Sequence, residues 1–175
     1  TLYASMSSTA STSGTIHRSY TRGATWTNPS TIANTPNRRE IEIAVSVVDT
    51  NTIYGLVESG NRIVAIIKSV NAGANFDTVP AHPIDADGGV SQATARKDFS
   101  RGQAWYDLSI AVDPNNPNVV VVGGIDLFKT SNGGGSWQQL SHWYGGFGFQ
   151  EVHADQHFAL FSPGSSTICY FGNDG

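Results

Sequence analysis

Short stretches in which apolar and polar residues alternate follow one another along most of the chain. Residues 41–48 are a clear example, and they end at the turn residues 49–52. Alternation with a period of two indicates a half-buried strand, and Pro and Gly fall between these stretches, where turns need them. No segment has the 3.6-residue period of an amphipathic helix. The pattern therefore predicts an all-β protein with almost no helix.

The predicted strands recur in sets of four. They lie at 41–48, 53–58, 63–68 and 76–79, then at 108–112, 119–123, 127–129 and 137–140, and finally at 157–161 and 168–171. Repeated sets of four short strands joined by turns are typical of β-propeller blades. We therefore predict a partial β-propeller of four-stranded antiparallel blades that forms one domain over residues 1–175.

This predicted domain does not contain enough strands to close a ring. Its segments are a partial blade at 1–29, a full blade at 41–79, an insertion at 80–104, a full blade at 105–141 and a partial blade at 153–175. Propellers usually close with about four to eight blades. An open arc leaves sheet edges that invite pairing with other chains. We therefore expect either a fragment of a larger protein or copies that associate to cover the open edges.

One local motif recurs at three predicted hairpins. Each copy has a hydroxyl residue, a short polar residue two positions later, then a Gly, and finally an aromatic residue. Its main positions are Ser19, Thr21, Gly23 and Trp26; Ser69, Asn71, Gly73 and Phe76; and Thr130, Asn132, Gly134 and Trp137. The short polar side chain can accept backbone N–H bonds across the turn, and Gly adopts a positive φ at low steric cost. The aromatic ring adds apolar contact that an isolated hairpin lacks.

These motifs resemble the Asp-box (BNR) repeats of sialidase-like and sortilin-like (VPS10-type) propellers and of xyloglucanase-type glycoside hydrolases. The acid usual at the third position is replaced here by Thr21, Asn71 and Asn132, and Phe76 replaces one Trp. The run 102–117, followed by residues 141–144 and 153–157, looks like large secreted or surface-attached bacterial proteins that are labelled glycosyl hydrolase by their repeats. Asp boxes lie at the periphery of the hairpins, so the resemblance implies the fold rather than an activity.

Composition excludes some classes of protein. The net charge is -4, only 14% of residues are charged, and Lys and Arg are scattered, which argues against a nucleic-acid-binding face. The longest apolar run is too short to span a membrane. The single cysteine, Cys169, excludes an intrachain disulfide. Abundant Ser, Thr and Asn suit a secreted or cell-surface protein, and we assign no cofactor and no metal ligand from the sequence.

Residues 153–157 carry the first candidate site. On a strand, alternate residues share a face, so His153, Asp155 and His157 are expected to point together. Two imidazoles and a carboxylate could contact a polar ligand, bind a metal or act in acid–base chemistry. The simpler alternative is that they form hydrogen bonds with neighbouring blades. We assign His153 and His157 as candidate ligand-binding residues.

The second candidate site begins the equivalent strand of the preceding blade. Trp105 and Tyr106 are candidate ligand-binding residues, and Asp107 with Asp155 is a candidate catalytic carboxylate pair. The separation of two such carboxylates would distinguish a retaining from an inverting glycosidase. The simpler alternative is that Asp107 caps a turn and that the aromatic pair packs between blades.

Two long insertions are expected to carry function, because long loops in compact domains are usually functional or disordered. Residues 77–103 contain Asp85 and Asp87 in a Gly-rich sequence that partly resembles a calcium loop but lacks the further carboxylates of an EF-hand. They also contain Arg96 and Arg101, which could overhang the propeller channel. Residues 142–152 contain Trp143 and Tyr144, which can stack on a sugar or peptide, or pack as a lid over their own blade.

Three functions remain open after these observations. The favoured hypothesis is a secreted or cell-surface propeller module that binds polysaccharide or protein through its rim loops. The first alternative is a glycoside hydrolase that uses paired carboxylates on a polysaccharide. The second alternative is a sortilin-like propeller that binds a peptide in its channel. No arginine set suited to a sialic acid carboxylate can be assembled from the sequence.

Overall fold

The computed structural model describes residues 1–87 and 98–175, and over these residues the chain forms fifteen strands and no helix. In that described part, no helix is long and apolar enough to cross a membrane. Arg96 and Gly88–Gly89 of the predicted insertion lie outside the described residues. The strands are β1 (Leu2–Met6), β2 (Thr15–Ser19), β3 (Thr31–Ile32), β4 (Glu40–Val45), β5 (Ile53–Ser59), β6 (Arg62–Ser69), β7 (Asn75–Thr78), β8 (Ser109–Val112), β9 (Val120–Gly123), β10 (Leu127–Thr130), β11 (Gln138–Gln139), β12 (Ser141–His142), β13 (Gln150–Glu151), β14 (Phe158–Phe161) and β15 (Cys169–Gly172).

Two blade-like sheets form the centre of the fold. In the first, β4, β5, β6 and β7 follow one another as antiparallel neighbours, and in the second β8, β9, β10 and β11 do the same. The bounds of these strands lie within about three residues of those predicted from the alternating pattern. The all-β fold and its four-stranded antiparallel blades are therefore confirmed.

The first and last sheets each contain two hydrogen-bonded strands. β1 pairs with β2, and β14 pairs with β15, both antiparallel. Residues 27–30 continue the first sheet, because the N–H groups of Thr27 and Ser30 donate to the carbonyls of Arg18 and Ile16 in β2. The chain then adds β3 to the edge of the next sheet, parallel to β7. One extended segment thus joins two successive sheets.

The strands that begin three of the antiparallel strand sets, β4, β8 and β14, lie side by side. β8 packs between β4 and β14. Ile43, Ala111 and Leu160 of these strands help to line an apolar cavity of about 470 Å³. Because the blades of a propeller surround a central channel, this arrangement places the cavity where a propeller has its axis.

The three motif turns share one set of hydrogen bonds. Each hydroxyl oxygen accepts the N–H of the Gly four residues later, at 2.8 Å for Ser19, 2.9 Å for Ser69 and 3.0 Å for Thr130. Each short polar side chain accepts the N–H four residues further on, at 2.8 Å for Thr21, 3.0 Å for Asn71 and 2.9 Å for Asn132. The glycines have φ values of 93°, 75° and 92°. The predicted turn chemistry is confirmed, and any short oxygen acceptor satisfies it.

The aromatic residues that end the three motifs differ in burial. Phe76 is 1% exposed and packs in the core beside Ile53. Trp137 packs against the core between the two central sheets, and its Nε1 donates to the carbonyl of Ala81 at 3.0 Å. Trp26 is 45% exposed, so the prediction that it adds to a core is wrong. The reason is that its sheet has only two strands, which offer too little apolar surface to cover an indole.

Candidate functional site

The segment that precedes β8 presents two aromatic rings to solvent. We call residues 101–108 the rim segment. The side chains of Trp105 and Tyr106 are 56% and 44% exposed, and their ring centroids lie 5.5 Å apart. The Tyr106 hydroxyl donates to Asp174 Oδ2 at 3.0 Å, which fixes its ring. Two exposed neighbouring rings held by the backbone of a turn form a surface on which a flat apolar ligand face can stack.

The prediction that His153, Asp155 and His157 share one face of a strand is wrong. β14 begins at Phe158, and the three residues lie in the loop before it. Asp155 has a φ of 64°, which breaks the extended backbone that alternation requires. His153 Nδ1 lies 3.2 Å from the carbonyl of Ala154, at the exposed side of this loop. The three side chains therefore have separate partners.

His157 connects two sheets rather than joining the other two residues. Its Nε2 lies 2.8 Å from Asp174 Oδ1 and its Nδ1 lies 3.1 Å from the backbone oxygen of Tyr106. The rings of His157 and Tyr106 meet edge to face, with centroids 4.6 Å apart. Hydrogen bonds from His157 and Tyr106 hold the pKa of Asp174 below its usual value. This polar contact agrees with the simpler alternative for His157.

Asp107 is a buried carboxyl without a hydrogen-bond partner among the described residues. Its exposure is 0%, and neither of its oxygens is bonded, so the alternative that it caps a turn is wrong. Burial raises the pKa of Asp107 to about 8, and the charges of Asp155, Asp98 and Asp174 contribute in the same direction. A pKa of about 8 favours the protonated form of Asp107 at neutral pH.

Asp155 and Trp143 lie together at one cavity. This cavity of about 270 Å³ is also lined by Arg101, Gln103 and Ile125. The Gln103 amide donates to Asp155 Oδ1 at 3.3 Å, which connects the loop before β14 with the rim segment. The structure thus brings together two residues that the sequence placed in different candidate sites.

Trp105 and Tyr106 line a second cavity, of about 320 Å³, together with Glu40 and Glu42. Burial, and then the neighbouring charge of Glu40, raises the pKa of Glu42. Both cavities border the rim segment. Asp107 lines neither of them, whereas Asp155, the other member of the predicted carboxylate pair, lines the cavity that contains Trp143.

A second polar cluster contains Asp85, Asp126 and His142, all buried. One ligand atom from each residue can be chosen so that all three lie within 4.8 Å of one another. The residues come from the insertion after β7, the turn between β9 and β10, and β12. Within the part of the chain that the structure describes, these three side chains are the group of His, Cys, Asp or Glu residues that lie close enough together to bind one metal ion.

Three further side chains surround this cluster. Arg101 contacts Asp85 Oδ2 at 2.6 Å and Asp87 Oδ2 at 3.3 Å. The Tyr144 hydroxyl donates to Asp87 Oδ2 at 2.9 Å, and this bond together with Arg101 lowers the pKa of Asp87. The predicted ligand-binding residue Tyr144 is therefore tied to the cluster, whereas its neighbour Trp143 lines the cavity of Asp155.

Asp126 resembles Asp107 in its burial. Its exposure is 0%, and neither oxygen has a hydrogen-bond partner within the described chain. Burial raises the pKa of Asp126 to about 7, and the charge of Asp85 contributes in the same direction. The backbone N–H of Trp143 lowers this pKa but lies outside hydrogen-bonding geometry.

Comparison with known proteins supports the fold. No family model matches the chain, and no curated protein matches it. An ancestral GH74 enzyme is similar in structure, with a TM-score of 0.55 and 16% identity over 90% of this chain. A GH74 enzyme of Niastella koreensis has a TM-score of 0.46 and 23% identity over 75% of this chain. The chain spans 19% of the length of either enzyme. The first likeness supports the β-propeller architecture of this chain.

The sequence signal for the second cluster was weak. Asp85, Asp87 and Arg101 stand in the predicted insertion, but Asp126 and His142 were not identified as site residues. Asp126 lies between Ile125 and Leu127, which are 5% and 4% exposed. An acid within an apolar strand pattern is the signal that could have identified Asp126, because a buried carboxylate needs a partner.

Proposed function

We propose that this chain is a propeller segment of a secreted or cell-surface protein that binds polysaccharide along its rim segment. The observation that carries the proposal is the set of exposed rings at the two cavities of that segment. Trp105 and Tyr106 line one cavity, and Trp143, which is 40% exposed, lines the other. Sugar rings have an apolar C–H face that stacks on such aromatic side chains, and their hydroxyls need polar partners.

The polar groups of both cavities suit a neutral sugar chain. Asp155 and Gln103 can accept and donate hydrogen bonds at one cavity, and Glu40 and Glu42 can accept them at the other. Few, fixed polar groups beside aromatic rings are typical of binding sites in which orientation matters. The Asp-box-like hairpins support the proposal only through the fold, because the hydrogen bonds that they share lie within the turns themselves.

Calorimetric titration with xyloglucan oligosaccharides and with linear β-glucan oligosaccharides tests the proposal. We expect saturable binding by the wild type and a loss of about 5–30-fold in affinity for Trp105→Ala and Trp143→Ala, the usual effect of truncating an aromatic contact in a binding site. Trp26→Ala is the matched control, because Trp26 is also exposed but lines neither cavity.

Equal losses in all three variants would contradict the proposed site. Binding of an extended peptide but of none of the sugars would instead support the sortilin-like alternative. A second copy of this chain is the other partner that we propose, because pairing would cover the open sheet edges. The molecular mass measured on a sizing column in the same buffer shows whether the copies associate.

Glycoside hydrolysis is a second candidate function, favoured by the raised pKa of Asp107. A carboxyl that keeps its proton at neutral pH is what a general acid requires, and the charge of Asp155 helps to keep it protonated. Because Asp107 is 0% exposed, whereas Asp155 lines a cavity, the geometry favours binding over hydrolysis.

Release of reducing ends from xyloglucan by the purified chain decides between these two functions. If the chain is a hydrolase, Asp107→Asn and Asp155→Asn are expected to lower the rate by at least about 100-fold, as for the loss of a general acid or base. If it is a binding module, as we propose, the wild type binds the polysaccharide without releasing reducing ends.

A further inference from the structure

The cluster of Asp85, Asp126 and His142 joins three segments that are distant in sequence. Asp85 is in the insertion after β7, Asp126 precedes β10, and His142 ends β12. Their exposures are 1%, 0% and 0%. Burying two carboxyls and an imidazole at one point is costly unless each group has a partner, so a bound group that contacts all three would stabilise the cluster.

The described residues supply that compensation only in part. Arg101 and the N–H of Asp87 bond to Asp85. Both oxygens of Asp126 and both ring nitrogens of His142 lack hydrogen bonds within the described chain, although His142 Nε2 lies 3.4 Å from Asp87 Oδ2. Two fully buried side chains with unused ligand atoms are therefore directed into the same cluster.

The charges around the cluster have the balance that suits a divalent cation. When ionised, Asp85, Asp87 and Asp126 contribute three negative charges, and Arg101 contributes one positive charge. Two negative charges remain with a neutral imidazole, and one divalent ion would neutralise them. The Tyr144 hydroxyl and Arg101 would then bind and orient the carboxylates beside the ion, as residues around the ligands commonly do in metal sites.

We propose that Asp85, Asp126 and His142 bind a divalent transition-metal ion such as Zn²⁺ or Mn²⁺. Two carboxylates with one imidazole are ligands that these ions accept, whereas Ca²⁺ selects oxygen ligands alone. Zn²⁺ bound tetrahedrally at about 2.1 Å keeps its ligand atoms about 3.4 Å apart. The ligand atoms, which lie within 4.8 Å of one another, must therefore move inward by up to roughly 1–1.5 Å when the ion binds.

The ion would hold the insertion and the 142–152 loop against the second central sheet. His142 directly precedes Trp143 and Tyr144, and its ring contacts that of Tyr144 edge to face with centroids 4.2 Å apart. Fixing His142 therefore fixes the base of the loop that carries these two aromatic residues. This metal site is proposed independently of any polysaccharide, and its test needs no sugar.

Equilibrium dialysis of the metal-free chain against Zn²⁺, Mn²⁺ and Ca²⁺, each alone, tests the site. We expect one Zn²⁺ or Mn²⁺ per chain, with weaker binding of Ca²⁺, and a rise of about 5 °C or more in Tm at a free-metal concentration of about 100 times Kd. Asp126→Asn and His142→Gln should each weaken binding by at least about 100-fold, because each removes a direct ligand.

Asp107→Asn is the matched control for Asp126→Asn. Asp107 is an equally buried acid with unbonded oxygens, but it belongs to the rim segment and not to the cluster. The Asp107→Asn variant should therefore bind the metal as tightly as the wild type does. Circular dichroism without metal shows whether each variant folds, and His142→Gln provides a second test if Asp126→Asn does not fold. The proposal is overturned if the wild type binds no Zn²⁺ or Mn²⁺, or if both cluster variants bind them as tightly as the wild type.

Discussion

Replacing Trp137 by Ala is expected to lower the free energy of unfolding by about 3 kcal/mol. The indole packs against the core between the two central sheets, and its Nε1 donates to the carbonyl of Ala81. Truncation of a buried Trp usually costs about 3–5 kcal/mol, and the lower value applies because Trp137 is only partly buried. Thermal unfolding should show a decrease in Tm of roughly 6–12 °C for a chain of this size.

Two control variants separate the contributions to this effect. Trp137→Phe keeps most of the apolar contact and removes the bond to Ala81, so it should cost only about 1 kcal/mol. Trp26→Ala changes the same motif position in a turn where the indole is 45% exposed, and it should cost about 1 kcal/mol or less. If Trp26→Ala destabilised the protein as much as Trp137→Ala does, packing on the core would not be the cause.

The two tryptophans show which part of the fold could be predicted from the sequence. The turn bonds depend on residues within eight positions, so the three motifs predicted them correctly, including the acceptor roles of Thr21 and Asn71. The burial of the final aromatic residue depends on how many strands lie beneath it. Trp26 and Trp137 occupy the same motif position, but only Trp137 meets the core between the two central sheets, which have five and four strands.

Candidate site residues that are neighbours in the sequence could be predicted from it, whereas those contributed by distant segments were harder to predict. Trp105 and Tyr106 were predicted from their position before β8. The alternation expected at 153–157 failed because Asp155 has a left-handed backbone, which a polar residue in a turn can adopt and which no pattern marks. Asp126 and His142 lie close together because distant segments of the chain pack against each other. No local sequence pattern predicts that contact.

The second large prediction is that the free energy of unfolding depends on pH through the buried carboxyl of Asp107. In the unfolded chain this carboxyl ionises with a pKa of about 3.9. In the folded protein burial raises its pKa to about 8, so it keeps its proton over the interval between these values. Over that interval the folded state binds more protons than the unfolded state, and the free energy of unfolding must fall as the pH rises. The contribution of Asp107 to stability is complete below about pH 4 and is lost as the pH rises through about 8.

Asp107→Asn should therefore be more stable than the wild type at about pH 8.5, by on the order of 5 kcal/mol, and nearly equal to it at about pH 4. Urea unfolding of both proteins at the two pH values measures this difference, and contributions from other titrating groups cancel because both proteins contain them. Asp113→Asn is the contrasting control, because the buried Asp113 accepts bonds from Asn115 N at 2.7 Å and Ser166 Oγ at 2.9 Å. The neutral amide oxygen accepts these bonds more weakly than the carboxylate does, so the change should destabilise that variant by about 1–3 kcal/mol. A gain for Asp107→Asn that did not change with pH would show that Asp107 does not hold its proton in the folded protein.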